Sequence, residues 1–287
     1  MRLGVVGMMP ADFRDLTAAH LAAIADLQLT GASSHAPIDG LGDVTRAQCA
    51  KVRATVEAAG MDFVQFGLGY GQCLFDRDAT VIAPLLDGIG RGIEIAAELR
   101  AHFCLLRTGS LNPRGSYSAS PDNHHPECRD RLVTTLRAIA DKAENAGVTM
   151  VVETHLLTIM DSPEANASIL ADVGSDHMRV VMDCCNHFQA VHQVYDSRAR
   201  LDHIFRLMGP IAGCGHLKDA AVRDGFVSHI DEEVPGEGDL DLGYLLQLWQ
   251  KSYPDGYMLL EHLPNEKYPL AASNAHRIAA AAGVEVH

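Results

Sequence analysis

Residues 149–187 read "TMVVETHLLTIMDSPEANASILADVGSDHMRVVMDCCNH" and contain two short apolar runs separated by a helical pattern. The runs at 149–155 and 179–185 are rich in valine and methionine and too short for buried helices, which indicates strands. The pattern at 163–173 opens with a proline directly after Ser162, a combination typical of a helix N-terminus. A strand, a helix and a second strand in this order predict a βαβ unit whose two strands run parallel.

The same alternation of strand and helix patterns runs along the whole chain. Apolar runs predict eight strands, at 2–8, 27–31, 62–68, 102–109, 149–155, 179–185, 212–219 and 256–262. Helical patterns lie at about 12–25, 43–59, 80–100, 127–146, 163–173, 188–207, 240–251 and 268–282. Eight alternating units favour a closed (β/α)8 barrel over an open doubly wound sheet, and no GxGxxG follows the first strand. We therefore predict the α/β class and a single (β/α)8 TIM-barrel domain over residues 1–287, since no linker or repeat divides the chain.

The charge balance limits the classes of partner. The chain has 23 Lys and Arg against 37 Asp and Glu, a formal net charge of −14. That balance argues against a nucleic-acid backbone or an anionic membrane surface, both of which need a cationic face. No stretch approaches the ~20 apolar residues of a membrane-spanning helix, and no signal peptide is recognisable. The expected partner is a small molecule, with no nucleic acid and no membrane involved.

The cysteines point to a location rather than to a site. There are seven, they are scattered, and none forms a CxxC pair. An odd number without pairing motifs argues against disulfide staples and predicts a reducing, cytoplasmic location. Cys184 and Cys185 would point to opposite faces of an extended chain, so we expect packing roles for them rather than a shared metal.

Polar residues collect at the ends of the later strands, where a barrel gathers its active site. Four consecutive predicted strands end in a carboxylate or an imidazole, namely Glu153, Asp183, His216 and Glu261. Three converging carboxylates would repel one another and raise their pKa values sharply, a penalty that a divalent cation removes. Three oxygen donors and one imidazole suit Mn²⁺, Mg²⁺ or Co²⁺ better than a structural Zn²⁺.

The informative stretches of the sequence are four strand-end motifs, VVETH (151–155), VVMDCCNH (180–187), GHLKD (215–219) and MLLEH (258–262). In these motifs the sequence resembles the xylose isomerase-like TIM-barrel superfamily, which includes ketose 3-epimerases, hydroxypyruvate isomerase, inosose dehydratase and endonuclease IV. The resemblance implies one metal ion held by the four strand-end residues, Mn²⁺ in the first place, with Mg²⁺ and Co²⁺ as alternatives. It also implies that Glu153 and Glu261 act as the acid–base pair on opposite faces of a bound ketose.

The chemistry expected of such a site is enolisation. A metal that holds a carbonyl and a neighbouring hydroxyl stabilises an enediolate, while one carboxylate removes the α-proton and a second acid returns one. Return to the other face of the same carbon is epimerisation, and return to the neighbouring carbon is aldose–ketose isomerisation. We therefore predict a divalent-metal-dependent epimerase or isomerase of a ketose or related keto-sugar. Family habit suggests a homo-oligomer, either a dimer or a tetramer.

Six further residues are candidates for binding the substrate. Family epimerases place a substrate-binding His three residues after the strand-six Asp, where this chain has Asn186, followed by His187. Either Asn186 has taken over that contact or the turn is displaced. Arg223 matches the family's arginine after the strand-seven His only with an offset of about one residue. The remaining candidates each also have a structural alternative, a hydrogen bond or a salt bridge, and are His155, Arg107 and Lys218.

Three other functions compete with this one. A lyase of the same fold would follow enolisation with loss of a leaving group, as in dehydration of a keto-inositol or cleavage of a 3-keto-glycoside, and a general acid such as His155 or His187 would favour it. An endonuclease would need further histidines on the early strands and a basic groove, which this sequence lacks. A barrel that binds without turnover is disfavoured by the complete ligand set. The irregular segment 110–127 is long for a loop, and such loops are often functional.

Overall fold

The computed structural model describes residues 1–287 and contains a closed barrel of eight parallel strands. The chain has ten strands, of which β8 and β9 form a separate two-stranded sheet and the other eight form the barrel. In chain order they are β1 Arg2–Val6, β2 Gly31–Pro37, β3 Asp62–Gly69, β4 Phe103–Arg107, β5 Met150–Glu153, β6 Met178–Asp183, β7 Ala212–Leu217, β8 Asp219–Arg223, β9 His229–Glu233 and β10 Tyr257–Leu260. β1 pairs with β2 on one side and with β10 on the other, which closes the barrel in the order β1-β10-β7-β6-β5-β4-β3-β2. The predicted (β/α)8 fold is confirmed.

The helices surround the barrel. They are α1 Ala18–Ala25, α2 Arg46–Ala58, α3 Ala79–Leu99, α4 Pro126–Ala146, α5 Pro163–Val173, α6 Val191–Tyr195, α7 Ser197–Met208, α8 Leu242–Ser252 and α9 Tyr268–Ala281. The expected start of α5 is present, with Ser162 Oγ accepting a hydrogen bond from the Ala165 backbone N–H at 3.3 Å. No helix combines the length and the apolar character that crossing a membrane would require.

The second strand lies later in the chain than its apolar pattern predicts. The predicted strand at 27–31 is wrong, because Gln28 adopts a left-handed φ of 58° at the turn that ends α1. The strand is instead the small and polar "GASSHAP", held by parallel pairing with β1 and β3. Small residues are needed there, since a Cβ on Gly31 would lie 2.5 Å from the ring of Tyr257.

Two other elements differ from the sequence prediction. The predicted helix at 188–207 is broken at Asp196 into α6 and α7. The predicted strand at 212–219 ends at Leu217, and after Lys218 the chain enters the antiparallel hairpin of β8 and β9, which lies outside the barrel. The hairpin escapes a search for apolar runs because β9, "HIDEE", carries three carboxylates.

The interior of the barrel is filled by apolar side chains beneath a polar mouth. Seven buried residues form this inner cluster, namely Val64, Leu105, Val151, Val181, Cys214, Tyr257 and Leu259. Four of them lie two positions before a strand-end residue with a carboxylate or imidazole, and alternate residues of a strand face the same side. The four strand-end side chains therefore point into the barrel above this cluster, at the carboxyl ends of its strands.

Candidate active site

Four side chains from four strands converge at the mouth of the barrel. They are Glu153 of β5, Asp183 of β6, His216 of β7 and Glu261, which directly follows β10. Each offers one ligand atom, and these atoms lie within 4.8 Å of one another. All four residues are buried, with Asp183 fully inaccessible and Glu153 the most exposed at 8%. The structure thus brings together the four residues predicted from the strand ends.

The arrangement of the polar atoms fits a metal ion. Asp183 Oδ2, His216 Nδ1 and Glu261 Oε1 are buried without a partner in hydrogen-bonding geometry. His216 Nδ1 lies 2.9 Å from Glu261 Oε1 and 3.7 Å from Asp183 Oδ2. The ammonium of Lys218 lies 2.8 Å from each of the two oxygens, but outside hydrogen-bonding geometry. Buried polar atoms are normally satisfied, so three that approach one another without a well-formed hydrogen bond favour a common cation as their partner. Carboxylate and imidazole donors in this ratio suit a divalent cation, and this group can hold one.

The imidazole of His216 is oriented by its other ring nitrogen. The carboxamide of Gln65, on β3, lies 3.2 Å from His216 Nε2 and turns Nδ1 toward the carboxylates. Such outer partners fix the ring orientation of metal-binding histidines in general. Burial by itself lowers the pKa of His216, but the Glu261 and Asp183 carboxylates outweigh that effect and raise the pKa to about 10. Metal binding at Nδ1 would therefore release a proton.

A buried lysine shares the carboxylates of the site. Lys218 Nζ lies 2.8 Å from Asp183 Oδ2 and 2.8 Å from Glu261 Oε1. Burial opposes ionisation of all three groups, yet the ammonium holds the pKa of Asp183 well below its usual range, and His216 and Lys218 together lower that of Glu261. Burial lowers the pKa of Lys218, but the neighbouring carboxylates have a larger, opposite effect, so the pKa of Lys218 is raised above its usual value.

A cavity of about 400 Å³ opens above the group of four. Glu153, His216 and Glu261 form part of its wall, so the site is reachable from outside the barrel. The other polar side chains that line it are Ser34, His35, Gln65, Arg107, His262 and Tyr268. Of the six predicted substrate-binding residues, the cavity wall includes Arg107. A pocket with this volume and these few convergent polar groups suits a small polar molecule.

The segment predicted to be irregular, 110–127, ends in the first turn of α4 and reaches the site through a tyrosine. Tyr117 donates a hydrogen bond of 2.5 Å to Glu153 Oε2. The guanidinium of Arg107 lies 5.4 Å from the Tyr117 ring centroid, and the His155 ring packs edge-on against it at 5.6 Å. Burial and the Glu153 charge raise the pKa of Tyr117, so the phenol remains a proton donor. Sequence reasoning misses Tyr117, because nothing local marks which loop residue turns inward.

The candidates that follow β6 are buried beside the site. His187 is fully inaccessible, and its Nε2 lies 2.9 Å from Thr154 Oγ1, a structural contact away from the cavity wall. Asn186 donates from Nδ2 to the Thr154 carbonyl at 3.2 Å, and its Oδ1 accepts from Lys218 at 3.3 Å. Both side chains therefore contact Thr154, which directly follows β5, and face protein atoms.

The hairpin of β8 and β9 contributes to the rim of the site. His262 Nδ1 lies 3.2 Å from Lys218 Nζ and 3.3 Å from Glu232 Oε2, which β9 supplies. His262 also has a left-handed φ of 56°, an uncommon conformation for a residue other than glycine. Arg223 lies on the outer hairpin, where its half-exposed guanidinium pairs with Asp231 and Glu233, so the structure does not bring it to the cavity.

Comparisons with known proteins agree with this architecture. A family model described as xylose isomerase-like TIM barrel matches residues 21–280. No curated protein sequence matches the chain. Among solved structures, a D-psicose 3-epimerase studied with D-fructose superposes with a TM-score of 0.73 at 17% identity, covering 98% of this chain and 99% of that one.

Two further solved structures superpose over nearly their full length. A 3-keto-D-glucoside 4-epimerase from E. coli has a TM-score of 0.71 at 14% identity, covering 98% of this chain and 99% of that one. A xylose isomerase-like TIM-barrel protein from Mycobacterium smegmatis, in complex with magnesium, also has a TM-score of 0.71 at 14% identity, covering 98% and 96%. Identities this low establish the fold alone, whereas the family match spans most of the sequence. The chain belongs to the xylose isomerase-like TIM-barrel family.

Proposed function

We propose that this protein is a divalent-metal-dependent epimerase or isomerase of a ketose or a related keto-sugar, working through an enediolate. The observation that carries the proposal is the buried ligand group at the floor of an open cavity, in which Glu153 and Glu261 both form part of the wall. Two proteins of similar fold, the D-psicose 3-epimerase and the 3-keto-D-glucoside 4-epimerase, support the substrate class.

The two glutamates are proposed as the acid–base pair. They come from β5 and from the end of β10, with β6 and β7 between these strands in the barrel, so they approach the cavity from different directions. When bound, the metal ion, for which we propose Mn²⁺ with Mg²⁺ or Co²⁺ as alternatives, would polarise the carbonyl and neighbouring hydroxyl oxygens of the sugar. One carboxylate then removes the proton beside the carbonyl, and the other returns a proton to the opposite face or to the neighbouring carbon.

Other side chains would hold the substrate and the base in place. Arg107 is proposed to contact a sugar hydroxyl, which its place in the cavity wall supports. Tyr117 fixes one oxygen of Glu153, which leaves Oε1 for the metal or the substrate. His155 supports the Tyr117 ring. The four strand-end residues beneath the cavity are buried, and electrostatic interactions with buried charges are stronger than those in water.

Proton exchange tests the proposal whichever sugar product is formed. A panel of free ketoses and 3-keto-glucosides is incubated in D₂O with the protein, in EDTA and after Mn²⁺ is restored, and followed by proton NMR. We expect Mn²⁺-dependent deuterium incorporation beside the carbonyl, abolished in Glu153→Gln and in Glu261→Gln. The matched control is Glu266→Gln, which removes an exposed carboxylate from the segment after β10. Mn²⁺ bound with no exchange in any sugar would contradict the proposal.

A lyase is the second candidate, and the placement of Tyr117 favours it. Its hydroxyl is a proton donor next to the proposed base, and elimination from a keto-sugar needs an acid that protonates the departing oxygen. The same NMR experiment separates the two functions. New resonances from a sugar with the same molecular formula as the substrate support epimerisation or isomerisation. A dehydrated product or a released fragment supports the lyase.

A further inference from the structure

Lys218 occupies an unusual position for a lysine. It follows His216 by two residues and therefore extends from the same face of the chain as that ligand. It is 2% exposed and does not belong to the cavity wall. Its ammonium lies within 2.8 Å of both Asp183 Oδ2 and Glu261 Oε1, and Glu232 Oε2 is 3.8 Å away. Asn186 Oδ1 and His262 Nδ1 complete its surroundings at 3.3 and 3.2 Å.

The two oxygens that Lys218 approaches are also those nearest to His216 Nδ1. Asp183 Oδ2, Glu261 Oε1 and His216 Nδ1 are buried and make no hydrogen bond of good geometry, so the ion pairs with Lys218 are the close contacts of the two oxygens to a cationic group. A cation bound by this group would therefore share both oxygens with the ammonium. The two positive charges would lie a few ångströms apart in an interior that screens them poorly, so they repel strongly.

The charges of the site balance only when the lysine is counted. Three carboxylates supply three negative charges, and a divalent cation would leave one uncompensated in a buried pocket, where an unpaired charge is costly. The ammonium of Lys218 compensates that remaining charge. Without a metal, the same ammonium still pairs with two of the carboxylates, and breaking a buried ion pair from one side is strongly destabilising.

We propose that Lys218 is a built-in counter-ion of the metal centre, which stabilises the carboxylates in the absence of metal and weakens metal binding by sharing their oxygens. Such a residue keeps the barrel mouth folded before the metal arrives and prevents the metal from being held too tightly for exchange. This inference rests on the proposed metal-binding function. It replaces the substrate contact predicted for Lys218, since the ammonium is enclosed by protein atoms.

The test measures metal affinity directly, with Mn²⁺ as the probe and no sugar present. Isothermal titration of metal-stripped protein is carried out for the wild type and for Lys218→Met, which nearly keeps the length of the side chain and removes its charge. We expect the Kd for Mn²⁺ to fall by about tenfold or more in Lys218→Met, because one repelling charge is removed from the site. The matched control, Lys142→Met, makes the same substitution at an exposed position of α4 and should leave the Kd unchanged.

Thermal unfolding supplies the second measurement. In EDTA we expect Lys218→Met to unfold at a lower temperature than the wild type, and the rise in midpoint on adding Mn²⁺ to be larger than in the wild type. If Lys218→Met does not fold without metal, recovery of the fold by Mn²⁺ supports the proposal, and Lys218→Gln repeats both measurements with a polar side chain. Lys218→Arg keeps the charge and should stay close to the wild type in Kd.

The remaining outcomes show which of the two proposals, the counter-ion role or the enzyme function, fails. An unchanged or weaker Mn²⁺ affinity in both neutral variants would overturn the counter-ion role and leave the proposed enzyme intact. Tighter Mn²⁺ binding together with no proton exchange in any sugar would leave the counter-ion role intact and overturn the proposed enzyme. Absence of Mn²⁺ binding in the wild type and in every Lys218 variant would overturn both.

Discussion

Glu153 is the residue through which the loop before α4 reaches the group of four strand-end residues. Its Oε2 accepts from the phenol of Tyr117 at 2.5 Å, while the residue as a whole is only 8% exposed. A hydrogen bond from a neutral donor to a buried carboxylate is among the stronger ones in proteins. The orientation of the proposed base is therefore decided by a residue 36 positions earlier in the chain.

Tyr117→Phe removes this hydroxyl and keeps the ring between Arg107 and His155. We expect the rate of Mn²⁺-dependent proton exchange to fall by about 10-fold to 100-fold, the value of a hydrogen bond to a charged group, with little change in KM. The midpoint of thermal unfolding should fall by only a few degrees, because one oxygen of a buried carboxylate loses its donor. Tyr195→Phe, at an exposed tyrosine, serves as the control. A Tyr117→Phe protein with a wild-type exchange rate would remove Tyr117 from the mechanism.

His187 makes stability depend on pH. Burial lowers the pKa of His187 to about 4, below the ordinary value of 6.5. The unfolded chain thus binds a proton between these values that the folded chain does not, so the stabilising contribution is complete above about pH 6.5 and is lost as the pH falls toward 4.

We expect the free energy of unfolding in urea to drop by about 2 kcal/mol between pH 7.5 and pH 5 through His187 alone. In His187→Gln, which keeps a polar side chain but does not titrate, this part of the pH dependence should disappear. His192→Gln, at an exposed position, is expected to retain it. Identical pH profiles for the wild type and His187→Gln would show that the buried imidazole is not the cause.

At the scale of elements, Asp219 ties the hairpin to the loop that precedes α8. Its Oδ1 accepts from the backbone N–H groups of Ala220 and Leu240 at 2.8 and 3.2 Å. Its Oδ2 accepts from Gly236 and Gly238 at 2.9 and 3.0 Å. Gly238 has to be glycine because a Cβ there would collide with the Asp219 carboxylate. Hydrogen bonds to this one buried carboxylate thus hold the loop in place, as pairing within a helix or sheet would otherwise do.

Asp219→Asn should destabilise the protein by about 2 kcal/mol or more. An amide has one accepting oxygen, so two of the four backbone N–H groups would lose their acceptor, and leaving buried donors unsatisfied costs about 1–3 kcal/mol each. Urea denaturation of the variant measures the change. Asp224→Asn makes the same substitution at the exposed tip of the hairpin, without these contacts, and should lie within about 0.5 kcal/mol of the wild type. Equal stabilities of the two variants would contradict this account.

The elements with regular patterns are predictable from the sequence, and those without them are not. β5, α5 and β6 lie close to their predicted positions, because valine-rich runs and a capped helix are local signals. The prediction for β2 is too early in the chain, since "GASSHAP" forms a strand through its neighbours on both sides and has no apolar run of its own. The hairpin of β8 and β9 escapes prediction for a related reason, as its register depends on pairing rather than on burial.

At the scale of the whole molecule, the proposed metal ion would connect half of the barrel. Its ligands would come from β5, β6, β7 and the end of β10, which are consecutive neighbours in the closed sheet. A ligand that binds only the folded state stabilises it in proportion to the logarithm of its concentration over Kd, once binding is saturated. Metal binding and global stability should therefore be coupled.

Adding Mn²⁺ to metal-stripped protein at about 100 times its Kd should raise the free energy of unfolding by about 2.7 kcal/mol. Asp183→Asn removes one of the three carboxylate charges of the group, and the same Mn²⁺ concentration should then give little stabilisation. Glu266→Gln should respond like the wild type. Denaturation curves with and without Mn²⁺ measure all three, and a full response in Asp183→Asn would place the bound metal elsewhere in the protein.

The sequence by itself determined the barrel and its group of four. Strict alternation of strands and helices predicts parallel pairing, and the carboxyl ends of parallel strands meet at one edge, so residues that end successive strands must come together. The tertiary structure alone decided that Tyr117 contacts Glu153, that Lys218 is buried between two carboxylates and that Arg223 is outside the cavity. The physical reason is that these contacts join segments distant in the chain, and their energies depend on burial and charge that no local pattern encodes.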